Sequence, residues 1–386
     1  MDIQSFRQFS RSHFGLEQYT QHLADSRPRP QIKAKTIFEA VFYMGILGLG
    51  ALLRLDQFVR TSKGKRLFGI SKPLVSDSTL SRSLSGMELA KLHHILQSVY
   101  AKARQMDIRR CEIGKARWRI GLIDGSTFGR FMASCFAEMG SVCLMGDLEA
   151  IPKPGKELPS SERLLRTLCA RFGPRWVDLI LLDGLYVAQG FLRICLKECA
   201  IDFLIKTQEE RLTILQDAMG MFQHYEDYSQ DIQYVQGTDA QRMVDYQVYA
   251  LDGFFLEGVD APLKVAWIQE ENLRTGAHTE FWAITSCQQL TATDMRELAH
   301  WRWDVENKGF KTLNALVHTK HIYAHHPHAQ QAITLILAIA GNLLQLFLTQ
   351  ITPKLIEACF GKLKCTQRFL QQQLCDSLML LPAPDT

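Results

Sequence analysis

Three acidic residues stand out by their flanks. Asp124 closes the short β-rich run Trp118 to Ile123, and Asp183 closes the run Val177 to Leu182; each is followed by glycine. Runs of this kind read as strands, which puts both acids at strand carboxyl ends, where active groups gather in open α/β sheets. The glycines permit sharp turns and close approach of a ligand. The third acid, Glu306, lies in Arg302-Trp303-Asp304-Val305-Glu306-Asn307-Lys308-Gly309-Phe310-Lys311. Arg302 and Glu306 are four apart and share one helix face; taken alone they are a surface ion pair worth roughly 0.3 kcal/mol. Together, three carboxylates without Cys or His make a hard-oxygen set suited to Mg²⁺ or Mn²⁺. Two such ions ~4 Å apart activate an attacking oxygen and steady a leaving one in an in-line phosphoryl displacement. Arg302 is placed to hold a phosphate.

The elements that must position these groups follow from pattern. Asp294 and Glu297 make a capping-box-like start for the helix carrying Arg302, and Met295, Leu298, Trp301, Val305 and Leu316 supply its apolar positions. Upstream, Phe131 to Met139 and Val142 to Ile151 read as strands joined at Gly140. Ser160-Ser161-Glu162 opens a helix to about Phe172, another helix runs from Val187 to Ala200, and Phe203 to Lys206 is a further strand. The last four residues of the run ending at Leu182 are apolar without alternation, as in a strand buried on both faces. The order β-β-β-α-β-α-β is that of an RNase H-like core. Residues 210–290 interrupt it with strands at Tyr246 to Ala250, Leu263 to Gln269 and Thr279 to Ser286, and this insertion has to bulge away for the helix of Glu306 to return. From His325 the chain reads as helical, with a frayed end after Pro382.

The chain of 386 residues has a net charge of only +4. Residues 1–120 nevertheless carry 21 Lys/Arg against 9 Asp/Glu, and residues 121–386 carry 23 against 31. A basic front half suggests an arm for a polyanion, with a solvated basic face as the alternative. Within it, Arg60 to Arg66 is a basic loop, and Ser71 to Arg82 has the hydroxyl-rich look of a helix N-terminus that meets phosphate, or of the second helix of a helix-turn-helix. Thr79 and Arg82 are the contacts expected there. A longer amphipathic helix follows from Glu88 to about Met106. Ten cysteines without a C-x-x-C pair argue for reduced thiols. The apolar runs Ala40 to Leu53 and Ile333 to Leu348 read as core helices, because a membrane span needs ~20 apolar residues.

Four stretches carry a resemblance: IDGS at Asp124, DLEAI-PGKEL-SERLL between Asp147 and Leu165, LLDGLY at Asp183, and RWDVENKGFK at Glu306. The chain resembles an insertion-sequence DDE transposase, of the branch with a β-rich insertion before the glutamate, over roughly residues 120–325. The resemblance implies an α/β, RNase H-like mixed-sheet core with a basic, all-helical N-terminal domain and a helical C-terminal tail. The implied segments are 1–115 for DNA binding, 116–209 and 291–350 for the two parts of the core, 210–290 for the insertion and 351–386 for the tail. It implies Asp124, Asp183 and Glu306 as the catalytic, metal-binding triad for two Mg²⁺ or Mn²⁺ ions, and a phosphate-contacting role for Arg302. Its implied partners are double-stranded DNA, as terminal inverted repeats and target, and a second copy of the chain on paired ends, in the bacterial cytoplasm without a membrane. The branch's Tyr-Arg-Glu-Lys signature is broken: its Tyr falls at Ala299 and its Lys at Leu313. Lys308 and Lys311 are nearby in another register and are counted as DNA contacts.

Two rival readings remain open, a metal nuclease on the same core without strand transfer and a decayed, DNA-binding remnant. Other residues have plainer readings. Asp147 and Glu149 are extra ligands or, better, a structural motif. Trp267 and Trp282 could stack on a flipped base, but strand tryptophans are mostly core. His318, His321, His325, His326 and His328 crowd together, but Pro327 breaks the helix between them and no cysteine is near, which disfavours zinc.

Overall fold

The computed structural model describes residues 2–68, 76–106, 110–114, 116–224, 229–305, 311–360 and 367–381, the side chains of 77, 304–305, 350–360 and 367 excepted. Seven helices come first: α1 (Ile3–Ser12), α2 (Leu16–Thr20), α3 (Ala34–Ile46), α4 (Leu52–Arg60), α5 (Ser62–Phe68), α6 (Asp77–Leu84) and α7 (Leu89–Arg104). A small antiparallel pair, β1 (Cys111–Ile113) and β2 (Ala116–Trp118), leads into the main sheet. Its first half is β3 (Ile120–Phe128), β4 (Phe131–Met139), β5 (Leu144–Ala150), α8 (Glu157–Phe172), β6 (Leu179–Asp183), α9 (Gln189–Arg193) and β7 (Asp202–Thr207). Then come α10 (Thr213–Gln223), β8 (Gln233–Asp239), β9 (Val244–Leu256), β10 (Val259–Asn272), β11 (His278–Thr285), α11 (Ala292–Val305), α12 (Lys311–Val317), α13 (Pro327–Phe360) and α14 (Gln367–Asp376).

The chain is a mixed α/β protein built on one nine-stranded sheet, in the order β5-β4-β3-β6-β7-β11-β10-β9-β8. β3, β6 and β7 run parallel to one another, and the remaining neighbours pair antiparallel. The expectation that residues 210–290 bulge away is not met. β11 pairs along β7 from Trp282↔Thr207 to Thr285↔Leu204, so the later strands extend the core sheet. α9 is shorter than expected; it passes into one π-helical turn, Ile194–Glu198.

Both faces of the sheet are covered, which explains the unbroken Leu179-Ile180-Leu181-Leu182 run. Leu122, Leu181 and Leu204 face the side that holds α11, α13 and the N-terminal helices. Ile123, Leu182 and Ile205 face α8, α9 and α10. Helices α1, α3, α6 and α7 share one continuous apolar cluster with α13 and that face of the sheet. From Ala332 to Leu348 every residue of α13 is buried, so this stretch is enclosed, and nearly all apolar, all round. Its stretch Pro327–Thr349, of mean hydropathy 2.0, is long and apolar enough to cross a membrane, but 94% of its most apolar window is buried inside the protein.

Polar side chains fix how these layers dock. Buried Asn342 of α13 donates its Nδ2 to Met145 O at 2.7 Å and accepts Met145 N at 3.0 Å, pairing the edge strand β5 as another strand would. Gln371 Nε2 of α14 points its two hydrogens among Gly45 O and Ile46 O at the end of α3 and Leu316 O at the end of α12, all within 2.9–3.2 Å, and so serves helix-end carbonyls of both.

Asp147 of β5, an open candidate from the sequence, is taken up by α7. It bonds His93 Nδ1 at 2.6 Å and Gln97 Nε2 at 2.6 Å. Glu149 pairs with Arg163 of α8 at 2.9 Å. Burial disfavours a charged His93, but the bond to Asp147 and the charges of Asp147 and Glu149 outweigh it and raise its pKa. This pairing therefore stabilises the fold fully below the ordinary histidine value of about 6.5 and loses that contribution as pH rises through the higher native value. Melting temperatures across that window should fall more for the native chain than for His93→Asn; parallel curves would show that the pair does not titrate.

Candidate functional site

β3 and β6 are parallel neighbours, paired from Ile120↔Leu179 to Leu122↔Leu181. Two positions further along each strand stand Asp124 and Asp183, on the same face as Leu122 and Leu181 because strand side chains alternate. β3 does not end at Asp124, as its run of residues suggested. The strand continues to Phe128, because the β3–β4 hairpin pairs residue by residue to Phe128↔Phe131. Asp183 does end its strand. Its Oδ1 accepts Leu185 N at 2.9 Å and caps the short 3₁₀ turn Gly184–Tyr186. That turn is pinned by buried Tyr186, whose hydroxyl donates to Glu157 Oε1 at 2.9 Å and lies 3.0 Å from Ser161 Oγ.

α11 brings the third described member. The reciprocal cap forms at Thr291 and Asp294, one turn before the expected Asp294–Glu297 pair: Thr291 N and Oγ1 donate to Asp294 Oδ2, and Asp294 N donates to Thr291 Oγ1. From there the helix crosses the sheet over β6 and β7. Its Arg302 is buried, and Nη2 lies 3.1 Å from Asp124 Oδ1 and 3.3 Å from Asp183 Oδ2. One guanidinium nitrogen thus bridges two carboxylates that lie 59 residues apart in the chain. Among the described residues, Arg302 Nε is buried without a hydrogen-bond partner. The Asp124 side chain is 13% exposed and that of Asp183 42%, so the pair opens to solvent on the Asp183 side.

Glu306 and Lys308 lie outside the described residues. Lys311 is exposed at the start of α12. On α6, Ser76 caps the helix by accepting Thr79 N at 3.3 Å; Thr79 is half-buried and Arg82 exposed. The two departures from the signature are core residues: Ala299 is fully buried, and Leu313 packs on Gly341 of α13, where a Cβ would meet Leu313 Cδ1 at 2.1 Å. Of the two tryptophans, Trp282 is core and Trp267 is half-buried against it. Trp267 stacks on Trp282 at 5.7 Å, so Trp282 offers no face to a base. A residue not singled out from the sequence is Lys206, the register partner of Asp183 on β7. The available signal was its place at the end of the strand after Asp183.

The donor set at the pair fits a hard divalent cation. Asp124 and Asp183 offer hard oxygens only, already gathered around one positive charge, and that suits Mg²⁺ or Mn²⁺. Among the described residues, no three His, Cys, Asp or Glu side chains form a ready cage. The thiol of Cys135, the register partner of Asp124 on β4, has its pKa raised by burial and then by the charges of Asp124, Asp147 and Glu157. No family model matches this chain, and no curated protein matches it in sequence.

Proposed function

We propose that the chain is a DDE transposase, a metal-dependent enzyme that cleaves and joins DNA ends. The observation that carries this reading is the convergence of Asp124, Asp183 and Arg302. Supporting it, β3 to β7 lie in the order β5-β4-β3-β6-β7 with β4 antiparallel to the other four strands, the arrangement expected of an RNase H-like core. In this reading Asp124 and Asp183 hold the cations, with Glu306, four residues after Arg302, as the third carboxylate. Two bound Mg²⁺ or Mn²⁺ ions would supply Lewis acidity to the attacking and leaving oxygens.

The chain's own residues then have defined work. Asp124 and Asp183 are held at fixed spacing by the sheet, so the donors are preorganised. Arg302, with its stem buried in the fold, presents a charge that a scissile phosphate shares. Lys308 and Lys311 follow it toward the DNA backbone. The basic residues of 1–120, Thr79 and Arg82 among them, engage the terminal repeats, and two copies act on paired ends. Water attacks a phosphodiester first and the 3′ oxygen leaves as a 3′-hydroxyl; that hydroxyl then attacks a phosphodiester of target DNA, breaking its bond to the target's own 3′ oxygen, which leaves as a hydroxyl.

Ala299 and Leu313 favour a decayed, DNA-binding remnant, and beside the transposase stands a nuclease on the same core that cuts without joining. Incubating the full chain and Mg²⁺ or Mn²⁺ with a plasmid that carries the gene and its flanking DNA separates these readings. Cut and joined products support the transposase, cut products alone the nuclease. No cleavage with either metal overturns both and leaves a DNA-binding remnant.

A further inference from the structure

Lys206 stands directly beside Asp183, on the next parallel strand. The preceding pair in the same register, Leu181 and Leu204, both join the apolar cluster on the α11 side, so Lys206 and Asp183 leave the sheet on that same face. Its Nζ lies 4.0 Å from the ring centroid of Phe281 and 5.4 Å from that of Trp303. Phe281 is buried on β11; Trp303 follows Arg302 on α11 and is 64% exposed. The ammonium is thus steered by two aromatic faces, one from the sheet and one from the helix that also delivers Arg302. Lys264 of β10, by comparison, is only 2% exposed and closed off from any ligand. Lys206 is half-buried, at the carboxyl ends of the parallel strands and at the lip beside the two aspartates.

We propose that Lys206 contacts a DNA backbone phosphate next to the one that reacts. The argument is one of charge. A DNA strand drawn to Asp124 and Asp183 brings two or more phosphates to a place that already holds two carboxylates, and Arg302 is shared between those carboxylates. A second cation fixed at the lip offsets the flanking phosphate and sets the strand's register against Asp183. The proposal rests on the DNA-processing reading above, and its failure is distinguishable from the failure of that reading.

The test uses the full chain and a labelled duplex of arbitrary sequence. Binding is titrated across salt concentrations for the native chain, Lys206→Gln and Lys206→Arg. Lys206→Gln should weaken binding about tenfold, as expected for one lost contact to a charged group, and should flatten the slope of log K against log salt by about 0.9. Lys206→Arg should restore both. In parallel, lysines are acetylated with and without duplex and read by mass spectrometry. Lys206 should be protected by DNA, while Lys264 should be unreactive in both states. A native salt slope in Lys206→Gln, or equal acetylation of Lys206 with and without duplex, overturns the proposal even where the native chain binds DNA. Failure of the native chain to bind any duplex overturns the DNA-processing reading and this inference with it.

Discussion

Asp124→Asn and Asp183→Asn should each abolish Mg²⁺-dependent DNA cleavage while leaving duplex affinity within a few-fold of the native value. The substitution keeps shape and an oxygen acceptor but removes the charge that a divalent ion requires. At Asp183 the remaining side-chain oxygen still accepts Leu185 N, so the 3₁₀ turn should persist; asparagine is as good a cap as aspartate. At Asp124, asparagine still accepts a bond from Arg302 Nη2. The fold is therefore expected to survive, and the loss falls on the chemistry. Metal-assisted charge stabilisation is worth several kcal/mol, so the rate should drop by about 10³-fold or more. Glu306→Gln should behave alike if it completes the triad. Affinity read by fluorescence anisotropy and cleavage read on a supercoiled substrate separate binding from chemistry. A variant at any of these positions that cuts at the native rate removes that residue from the site.

Part of this arrangement was legible in the sequence, and the legible parts share a cause. β4 reads correctly from Phe131 to Met139 because a turn and Gly140 bound an apolar, strand-forming run. β6 reads as doubly covered because four consecutive apolar residues leave no polar face. Asp124, Asp183 and Arg302 could be brought together because acids that close β-rich runs and are followed by glycine, and an arginine four before a glutamate on a helix, are local patterns. Long-range pairing leaves no such trace. Nothing near Trp282 announces that its strand will pair with Thr207, so the strands after residue 210 look like an insertion rather than an extension of the sheet. β8, Gln-Tyr-Val-Gln-Gly-Thr-Asp, is a polar edge strand with no periodicity to find. Lys206 went unnoticed for the same reason. Its neighbour Asp183 is set by strand register, and Trp303 reaches it from another element nearly a hundred residues on.

Arg302→Ala should lower both stability and cleavage, and added metal should repair the first but not the second. In the native chain Nη2 lies between Asp124 and Asp183 at 3.1 and 3.3 Å, with only 6% of the arginine side chain exposed. Removing it leaves two carboxylates facing each other with the intervening positive charge gone. Breaking a fully buried pair from one side costs about 3–5 kcal/mol. Here Asp183 is 42% exposed, and solvent screens part of the repulsion. A loss of about 2 kcal/mol is therefore the expected size. Saturating Mg²⁺ or Mn²⁺ should raise the melting temperature of Arg302→Ala more than that of the native chain. A cation bound between the aspartates replaces the missing charge in the variant, whereas in the native chain it has to displace the guanidinium, and only a ligand's net preference for the folded state counts toward stability. The double variant Asp124→Asn/Arg302→Ala should be less destabilised by the arginine loss than Arg302→Ala alone, because one of the two repelling charges is gone. Cleavage by Arg302→Ala should remain about 10²- to 10³-fold below native even at saturating metal, since a donor aimed at the reacting phosphate is lost. Arg302→Lys should fall between, as a point charge on a differently shaped stem does not reproduce the guanidinium's reach. Thermal melts with and without metal, set beside cleavage rates, read all of this. Equal metal-induced shifts in the native chain and Arg302→Ala would mean that the two aspartates do not share one cation site, and the proposed mechanism would fall with them.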